Sequence, residues 1–315
     1  MKYKEKHGNS LYEWHAKVFN FIDDHCYLSE EHIHEILYIK NNIEYFNFIP
    51  NHELIFAIPK LSSLLTNIRE HILKKTGYYI LKGFPIKSLD MLEIKFVYQI
   101  LGKLLGNLLP QNQNKEYVVD VYNAPKVNNS RGYLSNEELD FHTDACDIIG
   151  LLCINQAEIG GLSKIVSSPL IYGKIHSSNP KLVKIGFTPF KVKIFENINA
   201  NTHGHYHSIP VYTIENNSLL SRLVPGYTKL LLLENKLSSL QKKQLELLEN
   251  IQFFANDPSH YLSMKLSPGD IQFLNNNTIY HTRTSFKDGK KDKRHMLRIW
   301  IDIPEIKSYP NLFLS

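Results

Sequence analysis

The chain has 315 residues with 43% hydrophobic and 21% charged side chains, enough apolar material for a substantial core. Its 36 Lys and Arg against 31 Asp and Glu give a net charge of +5, too mild an excess to imply a nucleic-acid partner. Three cysteines without paired spacing argue against a disulfide framework and fit a reducing compartment, and no apolar run reaches the length of a membrane span. No apolar stretch follows the basic start Met1-Lys2-Tyr3-Lys4, so no secretory leader is expected and a cytoplasmic protein is.

In chain order, residues 1 to about 76 read as mostly helical, with Leu61, Leu64, Leu65, Ile68 and Ile72 at helical spacing and Gly77 as the expected C-cap. Tyr78-Tyr79-Ile80-Leu81 reads as a strand closed by Gly83. Asp90 and Glu93 form a capping-box signal for a helix running to Gly106. Beyond residue 117 the texture turns to strands: 117–122, 148–154, 271–274 and 296–303, with a helix near 238–251 and a Pro268-Gly269-Asp270 turn. This order predicts a β-rich α+β fold, a jelly-roll core over about 77–305 with N-terminal and inserted helices, as a single domain over 1–315.

The chemistry concentrates in Phe141-His142-Thr143-Asp144 and in His281 far downstream. On an extended strand i and i+2 share a face, so His142 and Asp144 can reach one ion while Thr143 turns away. With His281 they make up two imidazoles and a carboxylate, the facial set that holds non-haem Fe(II) and leaves positions open. Arg294 lies 13 positions past His281, where a dicarboxylate co-substrate would need a fork. In the last strand Arg294, Met296, Arg298 and Trp300 share one parity, and Leu297, Ile299, Ile301 and Ile303 the other. The second set is a packing face; the first reads either as a solvent face or as the wall of a cavity.

Other candidates have plainer alternatives. His203, His205 and His207 could bind a second metal, but no acid or cysteine stands beside them, and a loop near the active-site mouth is the simpler reading. Asn136 and Glu138 could face a substrate or sit in a polar turn. Cys146 reads as a small buried apolar residue, and Lys287–Lys293 as a solvated loop.

In the segments around His142, Gly160-Gly161-Leu162-Ser163, Gly269-Asp270-Ile271-Gln272-Phe273-Leu274-Asn275-Asn276, His281-Thr282-Arg283-Thr284 and Arg294–Trp300, the chain resembles the TauD/TfdA, clavaminate synthase-like family of Fe(II)/2-oxoglutarate dioxygenases. The resemblance covers roughly 78–303 and implies a double-stranded β-helix, Fe(II), and 2-oxoglutarate and O₂ as co-substrates. It implies His142, Asp144 and His281 as iron ligands, Arg294 with Ser163 on 2-oxoglutarate, and Arg298 toward an anionic part of the substrate. Strand parity then puts Trp300 beside Arg298 as an apolar wall; the alternative is that Arg298 pairs with a structural acid such as Asp140 or Asp302. Asp144 fills the position that a halogenating relative leaves to chloride, so hydroxylation is the expected outcome, with desaturation or ring closure on the same ligands. The expected enzyme hydroxylates a small, anionic or amino-acid-like metabolite with release of succinate and CO₂, without nucleic acid or membrane as partner. An oxygenase of protein or nucleic acid, and a non-catalytic metal-binding jelly roll, are the alternatives. Substrate identity and oligomeric state are not legible.

Overall fold

The computed structural model describes Trp14 and residues 24–112, 114–124, 134–193, 206–215, 217–226, 228, 237–291 and 293–306. Strands are numbered in chain order: β1 His25–Tyr27, β2 Tyr78–Lys82, β3 Asn107–Leu109, β4 Val118–Tyr122, β5 Ile148–Asn155, β6 Ile159–Gly160, β7 Ser163–Ser167, β8 Phe190–Lys193, β9 Tyr206–Ile209, β10 Tyr212–Glu215, β11 Ser218–Ser221, β12 Tyr261–Met264, β13 Ile271–Asn275, β14 Ile279–Arg283, β15 Phe286–Lys287 and β16 His295–Asp302.

The larger sheet runs β1-β2-β13-β5-β16-β3, with β4 also on β16. The smaller runs β12-β7-β14, and the segment around His142 extends it, since His142 and His281 exchange backbone hydrogen bonds at 3.0 Å in each direction. The two sheets face each other as a double-stranded β-helix.

Side-chain parity builds the layers. Leu297, Ile299, Ile301 and Ile303 of β16 pack with Ile271 and Phe273 of β13 against helices Pro59–Lys74 and Met91–Leu105, through Leu61, Leu65, Ile68, Val97 and Leu101. Each such fully buried Leu or Ile contributes about 1.5–3 kcal/mol over an exposed one. The packing is close enough that a Cβ at Gly150 of β5 would lie 2.7 Å from the Tyr98 hydroxyl, so glycine lets the helix settle on the sheet backbone. The other face of the same strands, Ile149, Leu274 and Trp300, meets Ile165 of β7 and Ile279 of β14 inside the roll. Outside the smaller sheet, Val166 and Tyr280 pack on helices Ser168–Ser178 and Ser239–Ala255.

Local signals agree with the sequence at several points. Asp90 caps the helix after it reciprocally with Glu93, at 2.9 and 2.8 Å, and Ser238 does the same with Gln241. Two details differ. The N-terminal part contains a strand, β1, pairing in parallel with β2. The helix Pro59–Lys74 is capped by Lys75, and Gly77 stands two residues on at φ +84, turning the chain into β2.

Candidate active site

His142, Asp144 and His281 converge inside the mouth of the roll, their ligand atoms all within 4.8 Å of one another. The His142 and His281 rings are 4.4 Å apart, and His142 Nε2 lies 4.0 Å from Asp144 Oδ1. His142 donates from Nδ1 to the Asp140 carbonyl at 2.8 Å, which leaves Nε2 bare and aimed at the cluster.

Burial and neighbours set the charges. Burial pushes the His281 pKa down, His142 adds to the effect, and the result is about 3. Burial alone would raise Asp144, but Arg298, the two histidines and the Trp300 N–H outweigh it and hold the carboxyl at about 2. At neutral pH His281 is therefore a neutral imidazole and Asp144 a carboxylate, the forms a divalent ion requires.

Asp144 is held from three sides. Its Oδ2 accepts from Arg298 Nη1 at 3.0 Å and from Trp300 Nε1 at 2.9 Å, leaving Oδ1 toward His142. Arg298 is itself fixed by Nε on Gln111 Oε1 at 2.7 Å. Gln111 donates to the Arg298 and Tyr117 carbonyls at 2.9 and 2.8 Å. Arg222 Nη1 reaches the Asp144 carbonyl at 3.0 Å and also the Cys146 carbonyl, while Asn276 Oδ1 receives the Asp144 N–H at 3.3 Å.

Arg294, which shares the Phe286 ring with Arg283 two residues along β14 from His281, is 4% exposed, yet its Nε and Nη1 have no hydrogen-bond partner. Burial lowers its pKa only to about 10, so the cation persists at neutral pH. Among the described residues no carboxylate forms an ion pair with its guanidinium; Asp288 takes the backbone N–H at 2.7 Å and attracts the guanidinium only from a distance. Gly161, at φ +67, makes room for it: a Cβ there would lie 3.2 Å from Arg294 Cδ and 3.3 Å from Nε. Ser163 faces inward on β7 and donates to Gln272 Oε1 at 2.9 Å. A buried guanidinium with orphan donors is stable only if an anion meets it. Two imidazoles, one carboxylate and an unpaired arginine thus fit Fe(II) together with a dicarboxylate acid.

Some expected substrate residues stand elsewhere. Arg298 and Trp300 face the cavity, but their donors are turned on Asp144 and Gln111 rather than offered to a substrate anion. Asn136 donates to the Phe286 carbonyl at 3.5 Å. Glu138 pairs with Lys164 at 3.2 Å, on the face of β7 opposite Ser163 and Ile165, with about half of its side chain exposed. His207 lies on β9 opposite Val192, while His203 and His205 fall outside the described residues. Cys146 is buried as expected, and the described lysines of the 287–293 run are exposed. Gln111, Arg222, Asn276 and Arg283 were not singled out from sequence. Only Arg283 carried a signal, two residues from His281 and so on its face.

A double-stranded β-helix with two histidines, a carboxylate and a buried arginine at one mouth defines a non-haem iron oxygenase. The family model described as "Taurine catabolism dioxygenase TauD, TfdA family" matches residues 49–300, and the chain belongs to that family, an Fe(II)- and 2-oxoglutarate-dependent dioxygenase. It is similar to FR-33289 synthase of Streptomyces rubellomurinus, 28% identical over 275 residues that span 81% of this chain and 78% of that protein. It is also similar to the taurine hydroxylase-like protein SAT17 of Stachybotrys chartarum, 29% identical over 266 residues, 78% of this chain and 66% of that one. Among solved structures, an asparagine oxygenase in complex with Fe(II), 3-hydroxyasparagine and succinate superposes with a TM-score of 0.67 at 14% identity, covering 88% of this chain and 93% of that one. The non-heme iron oxygenase OrfP with Fe and alpha-ketoglutaric acid gives 0.65 at 13% identity, covering 88% and 94%. Among the described residues no helix is long and apolar enough to cross a membrane.

Proposed function

We propose that the chain hydroxylates a small amino-acid-like metabolite, with His142, Asp144 and His281 holding Fe(II), and Arg294 with Ser163 receiving the far carboxylate of 2-oxoglutarate. The observation that carries this reading is the buried Arg294 guanidinium, its Nε and Nη1 without hydrogen-bond partners, on the last-strand face whose Arg298 holds Asp144 of the three-ligand cluster. The substrate class is supported by the relatives: solved neighbours hold hydroxylated asparagine and hydroxylated arginine, and one relative is a synthase named for a compound.

When bound, the iron supplies the activation of O₂ that couples decarboxylation of 2-oxoglutarate to oxidation of a substrate C–H bond. The chain's share is positional. Asp140 fixes the His142 tautomer through its carbonyl. Arg298 and Trp300 occupy Oδ2 of Asp144, which would leave Oδ1 to hold the ion. Arg294 would orient the co-substrate through its orphan donors. Met264, Leu266, Cys153 and Met296 pack into an apolar wall that keeps water out of the roll.

With Arg298 engaged on Asp144, the case for a strongly anionic substrate weakens, and a free amino acid or amino-acid derivative becomes the favoured class. The test is anaerobic loading with Fe(II) and 2-oxoglutarate, then exposure to O₂ with a panel of amino acids, reading succinate. Substrate-stimulated succinate release on a panel member supports the reading. Protein that binds neither metal nor 2-oxoglutarate refutes it.

A further inference from the structure

We propose that Arg283 is a second cation of the co-substrate pocket and sets its preference for a doubly charged acid. The inference rests on the assignment of Arg294 to the distal carboxylate of 2-oxoglutarate.

Arg283 ends β14, directly opposite Ser163 in register, and shares the inward face with His281. It is 6% exposed. One of its donors, Nη2, goes to the Glu137 carbonyl, and its Nε is buried with no partner. The guanidinium lies over the Phe286 ring, 4.8 Å from the centroid, and the same ring carries Arg294 at 5.4 Å. The two cations are near enough for Arg283 to repel Arg294. Among the described residues no carboxylate forms an ion pair with either.

Two buried guanidiniums around one phenyl ring, with no carboxylate in ion-pair contact and only Asp288 attracting Arg294 from farther off, are an unfavourable arrangement for the empty protein. A ring face attracts cations but carries no net negative charge, so it offsets the repulsion only in part. A ligand that brings a full negative charge to this end of the cavity relieves both arginines at once. 2-Oxoglutarate does so with its distal carboxylate, whose oxygens can meet the orphan donors of Arg294 while standing in the field of Arg283. A 2-oxo acid of the same length with a methyl end cannot. Succinate keeps that carboxylate, so the same pair also retains the product.

The experiment uses Mn(II)-loaded full-length protein, which binds without turnover. Dissociation constants are measured for 2-oxoglutarate, succinate and 2-oxopentanoate, alongside the melting temperature of the unliganded protein, in wild type, Arg283→Met, Arg283→Lys and Arg294→Met. Arg283→Met should weaken both dicarboxylates on the order of tenfold, the size of a charge–charge interaction at several ångströms in a partly shielded interior. It should leave 2-oxopentanoate unchanged and the unliganded protein no less stable, and Arg283→Lys should keep most of the preference. Unchanged dicarboxylate binding in Arg283→Met overturns the proposal. So does equal weakening of all three ligands with a lower melting temperature and no rescue by lysine, the signature of a structural role. If the methionine variant does not fold, Arg283→Gln carries the same comparison. If Arg294→Met retains the dicarboxylate preference, the Arg294 assignment itself fails; if it loses the preference while Arg283→Met keeps it, only the present inference fails.

Discussion

Arg298 donates through Nη1 to the outer oxygen of Asp144 at 3.0 Å, so a side chain on the last strand aims a proposed metal ligand near the middle of the chain. Trp300 adds a second donor to the same oxygen. Trp300→Phe keeps the ring and removes only that donor. Outer hydrogen bonds of this kind are typically worth about 10–100-fold in metal affinity. Trp300→Phe should fall at the lower end of that range and Arg298→Met at the upper, by anaerobic titration with Co(II) or Fe(II). Unaltered metal affinity in both variants would show that Asp144 needs no external support.

Arg294 is expected to separate stability from binding. A charge-assisted hydrogen bond is worth roughly 1.5–3 kcal/mol, so Arg294→Ala should weaken 2-oxoglutarate about 10–150-fold. Arg294→Lys should recover only part, because an ammonium does not copy the fork. Arg294→Met removes a buried cation that lacks a partner and should raise the melting temperature of the ligand-free protein. A methionine variant that melts lower than wild type would mean that this arginine is compensated in the empty state.

Gly161→Ala tests the cradle. Its φ of +67 disfavours alanine, and the added methyl would press on Arg294 Cδ at 3.2 Å. The expected cost is about 1–3 kcal/mol of stability. A raised KM for 2-oxoglutarate should accompany it, with metal affinity nearly intact. Loss of metal and co-substrate binding in equal measure would point to general disorder of the loop instead.

Acid should destabilise the metal-free protein through His281. Its pKa falls from 6.5 when unfolded to about 3 when folded, chiefly through burial. The stability it contributes is present above pH 6.5 and is lost as pH falls toward 3, because the unfolded chain takes up a proton that the folded chain refuses. Asp144, lowered from 3.8 to about 2, adds a further loss in the window between those two values. Denaturant melts across pH 7 to 4 should show a shallower decline in His281→Gln than in wild type. Parallel curves would mean that the histidine titrates alike in both states.

Much of this architecture was legible in the sequence where one residue type enforces one geometry. The alternation in β16 foretold the packing face from Leu297 to Ile303 and left the opposite face as either solvent or a cavity wall; the structure turns it into the roll. Asp90 and Glu93 foretold a helix start for an equally local reason. Partners across the cavity were not legible. Parity places Arg298 on the inward face but does not say that Asp144 captures it, since that depends on the distance between two sheets. Gln111 sits in the polar run Pro110-Gln111-Asn112-Gln113-Asn114, which reads as an exposed loop, and only its approach to β16 buries it. Glu138 looked close to the site in sequence, but the chain ahead of His142 turns it outward to Lys164.

The division of β16 into two opposed faces has a consequence for how this chain can diverge. Replacing one side chain on either face acts locally: a missing methyl at Ile299 or a missing donor at Arg298. Gaining or losing a single residue between Arg294 and Arg298 acts on both faces at once, because every position beyond the change is carried to the other side of the sheet. The guanidinium of Arg298 would then enter the apolar layer beside Val97 and Leu101, and isoleucine would face Asp144. A one-residue change of length is therefore far costlier in this strand than in the exposed lysine-bearing turn ahead of it.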